Sequence, residues 1–340
     1  MHRRHFTFAA TLLLGAASAL TGLTAQAAEA QIQVTRQYGL PYIPLMVMEH
    51  QQLFEKHLKR LGVGDAKVNW ATMSTTTATV DGLLSGNVDF ASSGITGLLN
   101  MWDKTQGTAT EVRAISGISA FPYPLVTSNP AVKTLKDFSE KDRIAVPAVK
   151  ISVQAIVLQM AAAKAFGAGQ RTALDARTVS MGHPTAAIAV MSKQGDVNAH
   201  FSYPPYSLEE LRTPGLHPVL WANDVTNGPS TTIEVVTTAR VVKDHPKWVE
   251  AWVAAQKEAS DFINKNHREA ATIYLEMTKD KKLTADDLIQ ILADPQVRIG
   301  VTPLNTMVFA KYMHEVGSIK HLPASWKDYF WPIAQGLDGS

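Results

Sequence analysis

The sequence predicts an α/β protein built from two halves with similar wiring, because one strand–helix–strand unit occurs twice. In the first copy, Val68–Thr96, a short strand pattern leads through four hydroxyl residues into an amphipathic segment and a second strand. Thr178–Tyr203 has the same order of parts, and its Gly195-Asp196-Val197-Asn198 parallels Gly86-Asn87-Val88-Asp89. A crossover helix joins parallel strands, so both units predict binding loops at the carboxyl ends of their strands.

The first residues have the three parts of an export signal. Arg3 and Arg4 supply positive charge, residues 6–20 an apolar stretch, and Ala25-Gln26-Ala27 an A-x-A cleavage pattern. We therefore expect cleavage after Ala27 and a soluble periplasmic protein, exported by either the general or the twin-arginine route. No later segment approaches the ~18 consecutive apolar residues of a membrane-spanning helix.

The composition narrows the classes of function. Of the 340 residues, 46% are hydrophobic and 18% are charged, which is typical of a globular protein with a sizeable core. The formal net charge of +2 gives no support to a nucleic-acid partner. The sequence contains no cysteine and none of the common catalytic or phosphate-binding motifs. It therefore predicts no catalytic residue, no cofactor and no metal site.

In the first half, alternating apolar residues predict four strands, at 32–35, 68–71, 88–91 and 112–115. Pro44 can open a helix that extends past Leu53, because proline fits the first helical turn. A further helix is expected at 98–104. In Phe121-Pro122-Tyr123-Pro124 the two prolines flank an aromatic residue, which indicates a stiff crossing rather than a regular element.

In the second half, strands are predicted at 125–127, 143–147 and 178–181, with a capped turn at Thr134–Phe138. Gly167 would end an alanine-rich helix over Val153–Phe166, and a loop at 182–185 would precede a helix at 186–192. Thr231–Thr238 would return the chain to the first lobe. Four helix caps are expected after it, at Asp244, Asn266, Thr284 and Thr302-Pro303. The expected divisions are a signal peptide at 1–27, the first part of lobe 1 at 28–123, lobe 2 at 124–228, and the return to lobe 1 with the C-terminal helices at 229–340.

Small polar and aromatic residues at strand ends are the candidate binding groups. The hydroxyls of Ser74–Thr77 open a helix, where the positive end of the dipole can hold an anion without a cationic side chain. An ordinary helix cap explains any single hydroxyl equally well. Lys150-Ile151-Ser152 and His183-Pro184-Thr185 hold comparable positions in the second half. Six loop aromatics suit a cleft or plain packing: Tyr38, Tyr42, Phe121, Tyr123, Tyr203 and Tyr206.

The binding free energies that such groups supply favour an organic anion over a bare inorganic ion as the ligand. Micromolar binding needs about −8 kcal/mol. Two helix termini and two charge-assisted hydrogen bonds give roughly 4–10 kcal/mol before the costs of association. Apolar contact with the aromatic residues would supply the rest.

Several short segments also occur in the order and spacing of one known family. They are Gln52–Lys56, Leu84–Phe90 with Gly94, Leu135–Phe138 leading to Arg143–Pro147, Gly195–Ala199 with Tyr203-Pro204, and His245-Pro246. Together they resemble the periplasmic binding components of nitrate-, taurine- and aliphatic-sulfonate-type ABC importers. This family shares its fold with a thiamine-pyrimidine precursor synthase. The resemblance covers most of residues 32–278.

The resemblance implies a type II periplasmic binding protein. Such a protein has two lobes, each with a mixed sheet flanked by helices, and two crossing strands that act as a hinge. The family's ligand contacts carry over onto Tyr38, Gly39, Tyr42, Ser74, Thr75, Thr76, Ser93, Gly94, Thr96, Lys150, Ile151, Ser152, His183 and Tyr203, beside the crossing aromatics Phe121 and Tyr123. Two segments depart from the family pattern and bear on the ligand: Ala148–Ser152, where glycine-serine is common, and Pro204-Pro205-Tyr206.

The expected function is capture of a small organic anion, a sulfonate or a carboxylate with or without an aromatic ring. A monomer would deliver it to the membrane permease of an ABC importer. Two alternatives stay open. One is a pyrimidine-precursor binding protein or synthase-like enzyme on the same fold, although export argues against the enzyme. The other is a ligand-sensing module for a membrane receptor.

Overall fold

The structure is a computed structural model that describes residues 30–73 and 76–340. The predicted signal peptide with its cleavage position after Ala27 lies outside the described residues, and so do Ser74 and Thr75. The described residues form two mixed β-sheets flanked by helices, as the sequence predicts. Within these ranges no helix is both long enough and apolar enough to cross a membrane.

Eleven strands in the described part of the chain build the two sheets. They are β1 (Ala30–Arg36), β2 (Ala66–Thr72), β3 (Phe90–Gly94), β4 (Val112–Ala120), β5 (Pro124–Thr127), β6 (Ile144–Val146), β7 (Thr178–Ser180), β8 (Ala199–Phe201), β9 (His217–Trp221), β10 (Ile233–Thr238) and β11 (Arg298–Ile299). The six-stranded sheet has the order β11-β4-β10-β3-β1-β2, and the five-stranded sheet has the order β7-β6-β8-β5-β9. We call the six-stranded sheet with its helices the first lobe and the five-stranded sheet with its helices the second lobe.

The two sheets repeat one arrangement of strands. In the first lobe β1 lies between β2 and β3 and runs parallel to both. In the second lobe β6 lies between β7 and β8 and runs parallel to both. Each trio is then extended by an antiparallel strand that arrives from the other lobe, β10 beside β3 and β5 beside β8. The similar wiring predicted from the sequence is therefore present in the topology.

The chain crosses between the lobes twice, from Ala120 to Pro124 and from Thr226 to Ile233. The strand before the first crossing is longer than predicted, because β4 continues to Ala120 instead of ending near residue 115. Two polar side chains of β4 form hydrogen bonds with residues that are distant in the sequence. The Ser116 hydroxyl donates to Gln256 Oε1 at 2.6 Å, and the Ser119 hydroxyl donates to the Pro41 carbonyl at 2.8 Å.

Thirteen α-helices in the described ranges cover the sheets. They are α1 (Ile43–His50), α2 (Leu53–Arg60), α3 (Thr76–Leu84), α4 (Ile95–Thr105), α5 (Val153–Phe166), α6 (His183–Ser192), α7 (Tyr206–Arg212), α8 (Ala222–Thr226), α9 (Ala239–Asp244), α10 (Pro246–Lys265), α11 (His267–Thr278), α12 (Ala285–Leu292) and α13 (Met307–Glu315). An aromatic cluster joins α2 and α10 to the first sheet. The Trp252 ring stacks on Phe90 at 4.8 Å and meets the edge of Phe54 at 5.0 Å. Such pairs contribute about 0.5–1.5 kcal/mol each beyond the burial of their area.

Several helix boundaries differ from the sequence prediction. Helix α4 begins at Ile95 and not at residue 98, and α6 begins at His183, inside the predicted loop at 182–185. The first predicted helix is two helices, α1 and α2, because Gln52 adopts a left-handed backbone conformation (φ 51°) between them. Asp244 is the last residue of α9 and not a cap, since α10 begins after His245. Thr302-Pro303 precedes no helix, and α13 follows Thr306.

Two predicted caps are confirmed by their hydrogen bonds. The Thr134 side chain and Asp137 form a reciprocal capping box at a short 3₁₀ helix. Thr284 and Asp287 form the same arrangement at the start of α12. In each box the hydroxyl satisfies a free N–H of the first turn while the acid bonds the cap residue's own N–H.

Candidate functional site between the two lobes

A small cavity lies where the two lobes meet, and both lobes contribute to its wall. Its volume is about 20 Å³, enough for a water molecule. The twelve lining residues are Gln37, Tyr42, Gly94, Thr96, Pro147, Ser152, Val153, Gln154, His183, Tyr203, Thr232 and Ile233. Lys, Arg, Asp and Glu do not occur among them in the described part of the chain.

Three helix N-termini border this cavity. Helix α4 begins after Gly94, α5 begins after Ser152, and α6 begins after Gly182. Residues at the start of each helix line the wall, including Thr96 and His183. The helices follow β3, β6 and β7, whose carboxyl ends lie at the inner edges of the sheets. Each terminus favours a negative charge by about 0.3–1 kcal/mol, so the wall is suited to an anion although it holds no cationic side chain.

Direct hydrogen bonds hold the lobes together beside the cavity. The Thr96 hydroxyl of the first lobe donates to the Ile151 carbonyl of the second lobe at 2.6 Å. The Leu40 N–H donates to the Pro204 carbonyl at 2.9 Å. The lobes therefore contact each other directly, and the cavity is what their contact encloses.

Glycine at two positions permits this close approach. A Cβ atom on Gly94 would lie 2.9 Å from Val153 Cγ2 across the interface. At Gly39, which has a φ of 119°, a Cβ atom would lie 3.3 Å from the Pro204 carbonyl oxygen. Side chains at these two positions would hold the lobes apart or force them to shift.

Two tyrosines in the wall are neutral hydrogen-bonding groups. The Tyr203 hydroxyl donates to Thr232 Oγ1 at 2.8 Å, which ties the second lobe to the second crossing. Burial raises the pKa of Tyr203, and burial also raises the pKa of Tyr42 well above its ordinary value. Tyr123 packs its ring edge-on against Tyr203 with centroids 4.7 Å apart, so this crossing aromatic supports the wall from behind.

A chain of hydrogen bonds leads from the cavity into the second lobe. His183 Nδ1 lies 2.8 Å from His200 Nε2, and His200 Nδ1 lies 2.6 Å from Glu210 Oε1. On the cavity side, His183 Nε2 lies 3.4 Å from Gln154 Nε2. Burial, with a smaller effect from His200, lowers the pKa of His183 well below its ordinary value, so the His183 ring is neutral at pH 7.

The structure brings some of the predicted site residues together at the cavity and places others elsewhere. Those that line it are Tyr42, Gly94, Thr96, Ser152, His183 and Tyr203. Those that are buried near it without lining it are Gly39, Ser93, Phe121 and Tyr123. Those that are exposed are Tyr38, Lys150 and Ile151, although the Ile151 carbonyl accepts the bond from Thr96. Ser74 and Thr75 lie outside the described residues, as does the side chain of Thr76, the first residue of α3.

Six of the twelve residues that line the cavity were not predicted from the sequence. The missed residues are Gln37, Pro147, Val153, Gln154, Thr232 and Ile233. The first four lie within three residues of a predicted site residue along the chain, so wider windows around Tyr38 and Lys150–Ser152 would have included them. Thr232 and Ile233 enter from the second crossing, and no local pattern in the sequence marks them.

The structure describes no cluster of three or more His, Asp or Glu side chains that could hold a metal ion. His183, His200 and Glu210 bond to one another in line instead of converging on one point. The site therefore offers hydrogen bonds and helix dipoles as its means of recognition.

Comparison with known proteins gives a family and a fold. Residues 26–275 match the NMT1-like family. The alkanesulfonate-binding protein SsuA from Xanthomonas axonopodis pv. citri, bound to MOPS, is similar with a TM-score of 0.67 and 17% identity over 90% of this chain and 99% of that chain. The periplasmic nitrate-binding protein NrtA from Synechocystis PCC 6803 has a TM-score of 0.65 and 15% identity over 89% of this chain and 84% of that chain. No curated protein matches by sequence.

Proposed function

This chain belongs to the NMT1-like family and has the fold of nitrate- and sulfonate-type periplasmic binding proteins, and from that premise we propose that it binds a small organic anion between its two lobes. The proposed ligand is a sulfonate or carboxylate with an apolar part. The proposed role is to deliver this ligand, as a periplasmic monomer, to the membrane permease of an ABC importer.

The meeting of three helix N-termini at a cavity without charged side chains carries the proposal. Helix termini and hydroxyl groups hold an anion through N–H and O–H donors that are already in place. Two of the similar proteins bind anions, which supports the proposal. One SsuA is bound to MOPS, an organic sulfonate, and NrtA is a nitrate-binding protein.

Because the cavity is small, the proposed mechanism requires the lobes to open before a ligand can enter. A space of about 20 Å³ has no room for an organic anion. In the proposal, the lobes separate by rotation at the two crossings, the solute enters, and the lobes close on it. The ligand stabilises the closed arrangement by its higher affinity for it.

A thermal-shift screen tests the proposal. Aliphatic sulfonates, aromatic carboxylates and nitrate are each compared with an amine of matched size, so that ethanesulfonate is paired with ethylammonium. A true ligand at 100 times its Kd adds about 2.7 kcal/mol to the free energy of unfolding. We expect sulfonates or carboxylates to stabilise the protein and the amines to have no effect.

Two outcomes would contradict the proposal. In one, a neutral pyrimidine is the sole compound that stabilises the protein. In the other, amines stabilise it as strongly as the matched anions, which would mean that helix termini do not determine recognition.

A further inference from the structure

One polar side chain in the cavity wall has hydrogen-bonding groups that no other described residue uses. Gln37 is 7% exposed and lines the cavity. Within the part of the chain that the structure describes, its side-chain amide forms no hydrogen bond, yet the amide atoms are not sealed inside the packing. A side chain this deeply buried has little free surface apart from the cavity that it borders. The unused amide groups of Gln37 therefore face the cavity.

The position of Gln37 follows from the strand before it. Strand β1 ends at Arg36 and is the central strand of the parallel trio in the first lobe. Gln37 is thus the first residue past the carboxyl end of β1, the edge at which open α/β sheets bind ligands. The neighbouring cation is already used, because Arg36 pairs with Glu49 at 3.1 Å. The uncharged amide is what this strand end offers to a ligand.

Several other polar side chains of the wall already use their donors. The hydroxyls of Thr96 and Ser152 donate to main-chain carbonyls at 2.6 and 2.7 Å. The Tyr203 hydroxyl donates to a threonine hydroxyl of the second crossing at 2.8 Å. Gln154 uses one side of its amide at a histidine ring, 3.4 Å away. These donors are therefore not available to the carbonyl oxygen of Gln37.

An anion alone satisfies only part of the Gln37 amide. A carboxamide has two N–H donors and one carbonyl acceptor. The oxygens of a sulfonate or carboxylate accept from the N–H groups, but they carry no hydrogen for the carbonyl oxygen. When the lobes close, that oxygen is left without a donor unless the ligand supplies one, and a buried acceptor without a partner weakens binding. This holds whichever way the amide is turned.

The surroundings favour a neutral donor on the ligand. Among its described lining residues the wall has no Asp or Glu, and the N-termini of α4, α5 and α6 place the positive ends of three dipoles there. Glu234 adjoins the lining residue Ile233 but is fully buried outside the wall, and burial raises its pKa well above the usual value. An ammonium group would find no negative partner, whereas a hydroxyl donates without bringing a charge.

We propose that Gln37 contacts the ligand and selects organic anions that also carry a neutral hydrogen-bond donor, such as a hydroxyl group near the acidic group. That the ligand is an anion rests on the proposed function. The hydroxyl group and the role of Gln37 are what the inference adds. The preferred class is then hydroxy-substituted sulfonates or carboxylates, ahead of the unsubstituted acids and of the amino-substituted acids with the same carbon chain.

Titration calorimetry with three matched sulfonates tests the ligand class on the full chain. Isethionate, ethanesulfonate and taurine share one carbon chain and differ in a single hydroxyl, hydrogen or ammonium group. We expect isethionate to bind about 5- to 150-fold more tightly than ethanesulfonate, which is the effect of one buried acceptor losing its partner. Taurine should bind most weakly. Lactate, propanoate and alanine repeat the comparison with a carboxylate.

Gln37→Met tests the residue, because methionine has nearly the length of glutamine without its N–H and carbonyl groups. We expect this variant to bind isethionate more weakly and ethanesulfonate about as well as the wild type does, so that the preference disappears. Gln194→Met is the matched control, since Gln194 is exposed between α6 and β8. It should keep the wild-type preference.

The outcomes separate the inference from the proposed function. Equal binding of isethionate and ethanesulfonate by the wild type would overturn the inference alone, and so would taurine as the tightest of the three. An unchanged preference in Gln37→Met would overturn the role of Gln37. Absence of binding in both series would overturn the proposed function and the inference with it. The wild-type ranking decides the ligand class even if Gln37→Met does not fold.

Discussion

At the residue scale, Glu234 is an acidic side chain inside the strand that the sequence predicts at residues 231–238. In the structure β10 is buried on both faces between β3 and β4, and Glu234 is fully buried. Neither of its carboxylate oxygens has a hydrogen-bond partner among the described residues. Burial therefore raises the pKa of Glu234 well above its usual value near 4.5.

This raised pKa predicts how stability depends on pH. Between pH 4.5 and the native pKa, the folded state binds more protons at Glu234 than the unfolded state, so its contribution to stability falls as pH rises, by about 1.4 kcal/mol per pH unit. Glu234→Gln removes that loss. The variant should be more stable than the wild type at pH 8 and nearly equal to it at pH 4, measured by chemical denaturation. Glu140→Gln at an exposed site is the control, and equal stability of Glu234→Gln and wild type at pH 8 would contradict the assignment.

Gly94 is a second residue whose role depends on a contact between distant parts of the chain. A methyl group there would meet Val153 Cγ2 at 2.9 Å when the lobes are in contact. Overpacking costs about 1–3 kcal/mol. If the closed arrangement alone bears this cost, Gly94→Ala should lower ethanesulfonate affinity about 5- to 150-fold and increase the radius of gyration seen by small-angle scattering.

The pairing with Val153 makes this prediction specific. Val153→Ala removes the group that the new methyl would meet, so the double variant should recover most of the lost affinity. Gly169→Ala is the matched control, because nothing lies within 4 Å of the added Cβ. A loss in Gly94→Ala that Val153→Ala does not restore would mean that the close approach is not the cause.

At the scale of elements, the sequence predicted best those boundaries that carry local signals. Helix α5 covers Val153–Phe166 as predicted, because Ser152 caps its start and Gly167 follows its end. The end of β4 could not be predicted in the same way, since Ser116 and Ser119 stay in the strand through bonds to Gln256 and Pro41. Those partners lie far away in the sequence, and no window around β4 contains them.

The two threonines predicted as helix caps test whether a local capping signal stabilises the helix that it precedes. Thr284 caps α12 in a reciprocal box, whereas Thr302 precedes no helix, and both are exposed. Thr284→Ala should lower the free energy of unfolding by about 0.5–2 kcal/mol. Thr302→Ala should change it by less than about 0.5 kcal/mol. The comparison is made by urea denaturation, and equal effects of the two substitutions would show that the capping box does not stabilise the chain.

At the scale of the whole molecule, the repeated unit indicated a cleft between lobes before any contact was known. Gly94 and His183 lie in the loops of the two repeated units and Tyr42 follows the first strand, and the family resemblance names all three as ligand contacts; all three line the cavity. Gln154 and Thr232 were not predicted, since their place in the wall depends on how the lobes close and on where the second crossing passes. What the sequence left open is thus the relative placement of two well-predicted halves.

An ion pair between the lobes allows that placement to be tested apart from the cavity. Arg212 of α7 in the second lobe donates to Asp287 of α12 in the first lobe, with Nη2 and Oδ1 2.6 Å apart. Arg268 of α11 pairs with the adjacent Asp286 at 2.9 Å, but both residues belong to the first lobe. The hydrogen bond from Arg212, together with bonds from Thr284, holds the pKa of Asp287 below its ordinary value.

If closure brings Arg212 and Asp287 together, removing the pair should destabilise the closed arrangement alone. Surface pairs contribute about 0.2–1 kcal/mol, so Arg212→Gln should weaken ethanesulfonate binding about 1.4- to 5-fold, with the difference from wild type shrinking in 0.5 M salt because ions screen the pair. Arg268→Gln removes the same charge next to the same helix and should leave the affinity unchanged. Titration calorimetry of both variants at low and high salt makes the comparison. Equal losses in the two would show a general effect of charge on the anion, and the pair between the lobes would have no part in closure.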